Sequence, residues 1–409
     1  MVRSSPPSLR VKNARVWGGE PVDIVIRNGR IASVDRVTRN APSAPSDAEF
    51  DAGNLLALPG LVNAHAHVDK SWWGKPWESF GGEPGTQGRI AHERSRRDAL
   101  SIPSVETSLR VLMQSLRTGT TRMRSHVDVD LGVGIRGIES VREAADRLGG
   151  AVEVSIVAFP QDGVIRRPGV LELLERAAAE GVDHIGGLDP ALIDRDPVRQ
   201  LDGLFEIAGR RGCGLDIHLH EPGDLGAFEF DLILDRVERD GLGEGRVNIA
   251  HGLALVDVDA PRRRDLLQRM GELGVTMTTV APVRMRQLPL HELDEAGVRF
   301  GFGTDGIRDL WSPYGDADLM GIAWQYARAG GLVRDEDLIR TLQIATRDAA
   351  KFVTAESHNL QPGDRADIVL VDAENPMDAL VRRVTRSAVI AGGRVVDLDD
   401  LQTAPWEAL

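Results

Sequence analysis

Apolar and polar positions follow two different rhythms along this chain. Near the start, LRVKNARVW, VDIVIRNGRIASVD and FDAGNLLALPG alternate as short strands broken by turn residues, and Asn28-Gly29 marks a hairpin. ADIVLVDA (366–373) and SAVIAGGRVVDL (387–398), near the other end, alternate in the same way around Gly392-Gly393. Two β-rich ends around a long middle predict one small sandwich built from residues 1–58 and 362–409. Between them, short apolar segments alternate with amphipathic stretches such as GVLELLERAAAEG and DADLMGIAWQYARAGG, the pattern of βα units around a parallel sheet.

Eight apolar segments occur in that middle: 60–69, 120–130, 152–160, 184–189, 214–221, 246–252, 274–280 and 298–305. Eight is the number of strands in a closed barrel, so the fold class is α/β, a (β/α)8 TIM barrel over residues 59–361 with the composite sandwich attached. His67, His126, His218, His220, His251 and Asp305 all fall at or near the C-terminal ends of these segments, the active face of such a barrel. Residues 40–48 read as a surface loop.

The sharpest local signal is Asn63-Ala64-His65-Ala66-His67-Val68-Asp69. Two histidines two apart on a strand share a face, so both imidazoles can grip one ion; the alternative is a chance pair of core or exposed histidines. His218 offers a third ligand, with Glu221 just past it where the strand yields to a loop. A glutamate there is placed to carry a proton from an activated water to a leaving nitrogen, unless it is only a solvated loop residue. Asp305 can bind an ion and take a proton from its water, or cap a helix. His251 can steady the water and a developing oxyanion. Gln161, at a strand end, can hydrogen-bond a ring amide or be an ordinary loop residue. Trp72, Trp73, Trp77 and Trp311 can stack on a planar ring or pack as core and lid. For His126 packing is the simpler reading, and His220 either lines the pocket or fills a gap between strands.

Composition narrows the chemistry. Lysine occurs only at 12, 70, 75 and 351, so none falls between residues 76 and 350 to bridge two metals, and a single divalent ion is expected, zinc or iron with manganese as a third option. A bridging glutamate is the alternative. Cys213 is the only cysteine, which rules out intrachain disulfides and the Cys-rich zinc deaminase design. Asp and Glu total 62 against 49 Lys and Arg in 409 residues, a net charge of −13 that disfavours nucleic acid and anionic membranes as partners. The first residues carry no apolar signal stretch, so a cytoplasmic protein with a small-molecule partner is expected, and homo-oligomerisation is left open.

At HAHVDKSW, RSHVDVD, VAFPQDG, DIHLHE, DGIRDLWSPYGDADL and PGDRADIVLVDAEN the chain resembles the amidohydrolase superfamily, in particular its cytosine deaminase and N-isopropylammelide isopropylaminohydrolase branches. The resemblance implies that His65, His67, His218 and Asp305 bind the ion, Glu221 shuttles the proton, His251 supports the water and Gln161 touches a ring substrate. It implies a hydrolytic deaminase or aminohydrolase acting on a small nitrogen heterocycle, such as a pyrimidine or triazine. Gly306 departs from the cytosine deaminase pattern, which has a second acid there. Two competing readings remain: a cyclic amide or imide hydrolase, which product analysis would separate, and a non-catalytic barrel scaffold, which metal analysis would.

Overall fold

The computed structural model describes residues 8–37, 46–399 and 401; most of the expected loop at 40–48 lies outside them, as do the first seven residues. All eight expected barrel segments are strands: Leu61–His67, Thr120–Asp128, Glu153–Phe159, His184–Leu188, Gly214–Leu219, Val247–His251, Thr276–Thr279 and Phe300–Phe302. Each pairs in parallel with the next. The eighth strand is interrupted at Gly303-Thr304 and resumes as Asp305–Gly306, which pairs in parallel with Ala66 and His67 of the first. One broken strand thus touches both edges of the sheet, which curls into a TIM-like barrel.

The first, second and fifth strands are buried along their whole length, consistent with helices packed outside and side chains filling the interior. Helix Val170–Ala179 buries Val170, Leu174, Ala177 and Ala178 on one stripe, which is why its sequence reads as amphipathic. Helix Leu319–Ala329 does the same with Leu319, Met320, Ala323 and Tyr326. Among the described residues no helix is long and apolar enough to cross a membrane. Cys213 is buried and free.

Strands from both ends of the chain join one further sheet. Its order is Arg394–Val395, Arg386–Ala391, Ile368–Val371, Leu56–Pro59, Ser8–Val16, Val22–Arg27 and Arg30–Arg36. Asn28 and Gly29 have φ of 49° and 76°, and Gly392 and Gly393 have 55° and 77°, so both hairpins turn through the left-handed pairs their sequences signalled. Ala48–Asp51 forms an extra strand parallel to Ser8–Val16, so the expected loop ends sooner than the pattern suggested. The sheet has its own apolar cluster, with Val11, Ile24, Ile26, Ile368, Leu370 and Ile390.

His358 joins this sheet to the barrel. Its Nε2 lies 2.7 Å from the Gly60 carbonyl, where the chain passes from the sheet into the first barrel strand. Burial, reinforced by Arg122, pushes the imidazole pKa down to about 4. Between about pH 6.5 and 4 the unfolded chain therefore binds a proton that the folded chain refuses. Stability from this site is complete above pH 6.5 and is lost as the pH falls. His358→Gln keeps a donor for Gly60 but cannot titrate. Relative to the variant, the wild type should lose about 2 kcal/mol between pH 7 and 5 in denaturant unfolding; parallel pH profiles would show that another group is responsible.

Candidate active site

Because β-strand side chains alternate, His65 and His67 emerge on the same face of the first strand, and both are buried. Register across the barrel seam sets Asp305 against Ala66, which brings Asp305 Oδ1 to 3.3 Å from His67 Nε2 and 3.7 Å from His65 Nε2. His218 comes from the fifth strand, with its ring centre 4.7 Å from that of His65 and 5.5 Å from that of His67. His251, ending the sixth strand, lies 5.0 Å from His65 and 5.1 Å from His218. All the histidines proposed from sequence, and Asp305, are thus gathered at one mouth of the barrel. Asp189, His251 and Asp305 hold left-handed backbone, with φ of 33°, 67° and 60°. Such conformations cost on the order of 1–3 kcal/mol each and tend to collect at functional sites.

Both ring nitrogens of His65 and His218, Nδ1 of His67 and Nε2 of His251 are buried without a hydrogen-bond partner. Buried polar atoms are normally satisfied, so this cluster of orphaned lone pairs fits a cation. Two triads, His65–His218–His251 and His65–His67–His126, each bring their potential ligand atoms within 4.8 Å of one another. Burial, first of all, holds the His67, His218 and His251 imidazoles well below their usual pKa, in the neutral form that ligates. Burial alone would raise that of Asp305, but the neighbouring His65 and His67 imidazoles hold it well below the carboxylate range, so it stays ionised.

His126 is not mere packing. Its ring centre is 4.1 Å from that of His65, and its Nε2 lies 3.2 Å from Asp216 Oδ1. Asp216 also accepts hydrogen bonds from Arg124 at 3.0 Å and Asn248 at 2.9 Å. This polar layer within the barrel fixes the imidazoles from behind.

The histidines open into a cavity of about 1280 Å³ whose walls include Lys70, Trp73, Trp77, Phe159, Gln161, Asp189, His220, Asp309 and Trp311. Gln161 and Trp311 thus both line the cavity. Trp72 instead is fully buried, with Arg308 4.3 Å above its ring. Glu221 is fully buried and is not part of the cavity wall. Its Oε1 accepts the Leu192 N–H at 2.9 Å, while Oε2 has no partner. Burial foremost, with Asp189 adding to it, raises the Glu221 pKa, and Glu229 facing it is held protonated.

Sequence reasoning left His220 undecided and gave Asp189, Lys70 and Asp309, which also line the cavity, no role. His220 is clamped by Asp189, which accepts from its backbone N–H at 2.7 Å and lies 3.0 Å from its Nδ1, and its ring packs 4.2 Å from that of His251. Asp189 directly follows the fourth strand, so its position on the active face was a usable signal. Lys70 is 5% exposed and reaches Asp128 Oδ1 at 3.2 Å and Gln161 Oε1 at 2.5 Å. Burial opposes its charge, yet Asp128 and Glu93 raise its pKa and keep it an ammonium. A lysine five residues past His65 in a chain with only four was the clue. Burial pushes Asp309 up to a pKa of about 6, against the pull of Lys70.

Known proteins share this fold. Over 95% of this chain and 98% of its own, N-isopropylammelide isopropylaminohydrolase from Burkholderia multivorans superposes with a TM-score of 0.89 at 40% identity. A 5-methylcytosine deaminase from Klebsiella pneumoniae liganded with phosphonocytosine gives 0.80 at 25% identity, over 95% and 98% of the two chains. N-isopropylammelide isopropyl amidohydrolase of Pseudomonas sp. strain ADP is 27% identical over 97% of this chain and 98% of its own. With residues 110–397, more than half of its length, matching the amidohydrolase family profile, this chain belongs to the amidohydrolase family.

Proposed function

We propose that this protein is a metal-dependent aminohydrolase that removes an exocyclic amine from a small nitrogen heterocycle. The observation that carries the reading is the convergence of unpartnered imidazoles and an ionised Asp305 at the floor of a cavity walled by aromatic and polar side chains. The names of the relatives support it, since they act on N-isopropylammelide and 5-methylcytosine. His65, His67, His218 and Asp305 would hold one divalent ion, zinc or iron, with manganese as a further option. When bound, that ion supplies a water activated for attack at neutral pH.

The chain's own residues do the rest. The ring lies between the apolar faces of Phe159 and Trp311 and is oriented by Gln161. His251 hydrogen-bonds the attacking water, and Asp305 accepts its proton as the new C–O bond forms. Glu221 is buried just behind the cavity wall; its raised pKa suits an acid, and to it we assign the proton that reaches the leaving nitrogen as the C–N bond breaks. The products are a ring carbonyl and ammonia or an alkylamine. His220, fixed by Asp189, is presented beside that nitrogen. We further read residues 1–58 with 362–409 as a composite β-sandwich domain, residues 59–361 as the catalytic barrel, and the protein as cytoplasmic.

The purified protein should carry about one equivalent of divalent metal by elemental analysis, and His65→Ala, His218→Ala and Asp305→Ala should each lower it. Undiminished metal in any of them removes that residue from the ligand set. A chelator should abolish amine release, and added metal should restore it.

Glu221→Gln should keep the metal and the fold while kcat falls by roughly 10²–10⁴. Wild-type turnover in that variant would remove Glu221 from the proton path.

A further inference from the structure

Gly306 is the condition for another acid to enter the cavity. An ideal Cβ on residue 306 would stand 1.7 Å from Asp309 Oδ2 and 2.7 Å from its Cγ, so the carboxylate of Asp309 fills the volume a side chain at 306 would need. Asp309 is 5% exposed and lines the cavity. Its Oδ1 accepts the N–H groups of Trp311 at 2.8 Å and Ser312 at 2.7 Å, which ties down the loop and leaves Oδ2 on the Gly306 side.

Lys70 lines the same cavity. Lys70 spends two of its three N–H bonds on Asp128 and Gln161 and keeps the third. Because the Gln161 oxygen is taken by Lys70, its amide NH₂ is also left to donate. Lys70 Nζ lies 5.6 Å from the Phe159 ring and 5.7 Å from that of Trp311, so the donor stands beside the surfaces that would sandwich a flat ring.

We propose that Asp309 and Lys70 together read a lactam edge, the adjacent N–H and C=O of an oxo-substituted nitrogen ring, so that oxo-pyrimidines and oxo-triazines are the substrate class and aminopurines without a ring carbonyl are not. This selection rests on reading the site as one for a nitrogen heterocycle. Asp309 accepts the ring N–H and Lys70 donates to the ring carbonyl. A ring without the N–H leaves a buried carboxylate facing a lone pair or a methyl group, and sites that hydrogen-bond their ligand reject such analogues strongly.

Binding can be measured apart from turnover by calorimetry on the metal-loaded full chain, using rings that carry no leaving amine. Uracil should bind at least about tenfold more tightly than 1,3-dimethyluracil, which keeps both carbonyls and has no N–H. Asp309→Asn retains the acceptor for the loop but turns an N–H donor towards the cavity, and Gly306→Ala forces the carboxylate aside. Each should bring the ratio of the two affinities towards one, and the bulk of the methyl groups is the same for all three proteins. Equal binding of the two rings by the wild type, no binding of uracil, or an unchanged ratio in both variants would overturn the proposal. Amine release from amino-substituted rings, assayed in parallel, scores the hydrolytic reading separately: equally fast hydrolysis of aminopurines and oxo-rings would leave that reading intact and remove this one.

Discussion

The seam between the first and eighth barrel strands is the constraint on which the site depends. Asn63 bridges it, donating from Nδ2 to Thr304 Oγ1 at 2.8 Å and accepting the Thr304 N–H at 3.2 Å. Gly303 lets the two backbones approach so closely that a Cβ there would stand 2.3 Å from the His65 Cβ and 2.4 Å from its carbonyl oxygen. Only with that approach does Asp305 pair with Ala66 and turn its carboxylate towards His65 and His67. Closure of the barrel and assembly of the ligand cluster are therefore one event, since the residues that seal the sheet are neighbours in sequence of those that would hold the ion.

Much of this was legible from residue order alone. Strand-period apolar runs located all eight barrel strands, because a fully buried parallel strand is a nearly continuous apolar segment and its C-terminal end carries the polar residues. Glycine pairs gave both hairpins, since few other residues accept consecutive left-handed conformations. What escaped depends on distances between segments remote in sequence. Nothing local to His126 announces that Asp216, from a strand three further on, will grip it, and nothing in DGIRDLW says that the fifth residue folds back onto the second. Glu221 shows the reverse: its position in DIHLHE is clear, but its burial beside Glu229 is set by how a helix packs against the strand ends.

The cost of the site is visible in the same features. Unpartnered buried imidazoles, left-handed residues at 189, 251 and 305, and the crowded acids Asp189, Glu221 and Glu229 all work against folding. They persist because the surrounding core is continuous: apolar residues from nearly every barrel strand and its outer helix pack into one cluster. A cation with the histidines as ligands would satisfy the orphaned nitrogens, so binding and stability should be coupled here, as in other sites whose ligands are assembled only in the folded state.

The division of labour between the basic residues follows from their shapes. Arg97 spans Glu93, Asp128 and Asp130, using a planar fork of donors to lock three buried carboxylates behind the cavity wall. Arginine in the place of Lys70 would commit its fork to the same acids. A lysine, with three donors on a compact ammonium, can hold Asp128 and Gln161 and still offer one N–H to whatever enters. In a chain that uses arginine almost everywhere else, a lysine at the one cavity position where a free donor is needed is explained by that geometry, and it ties the acidic network behind the wall to the recognition of ligand in front of it.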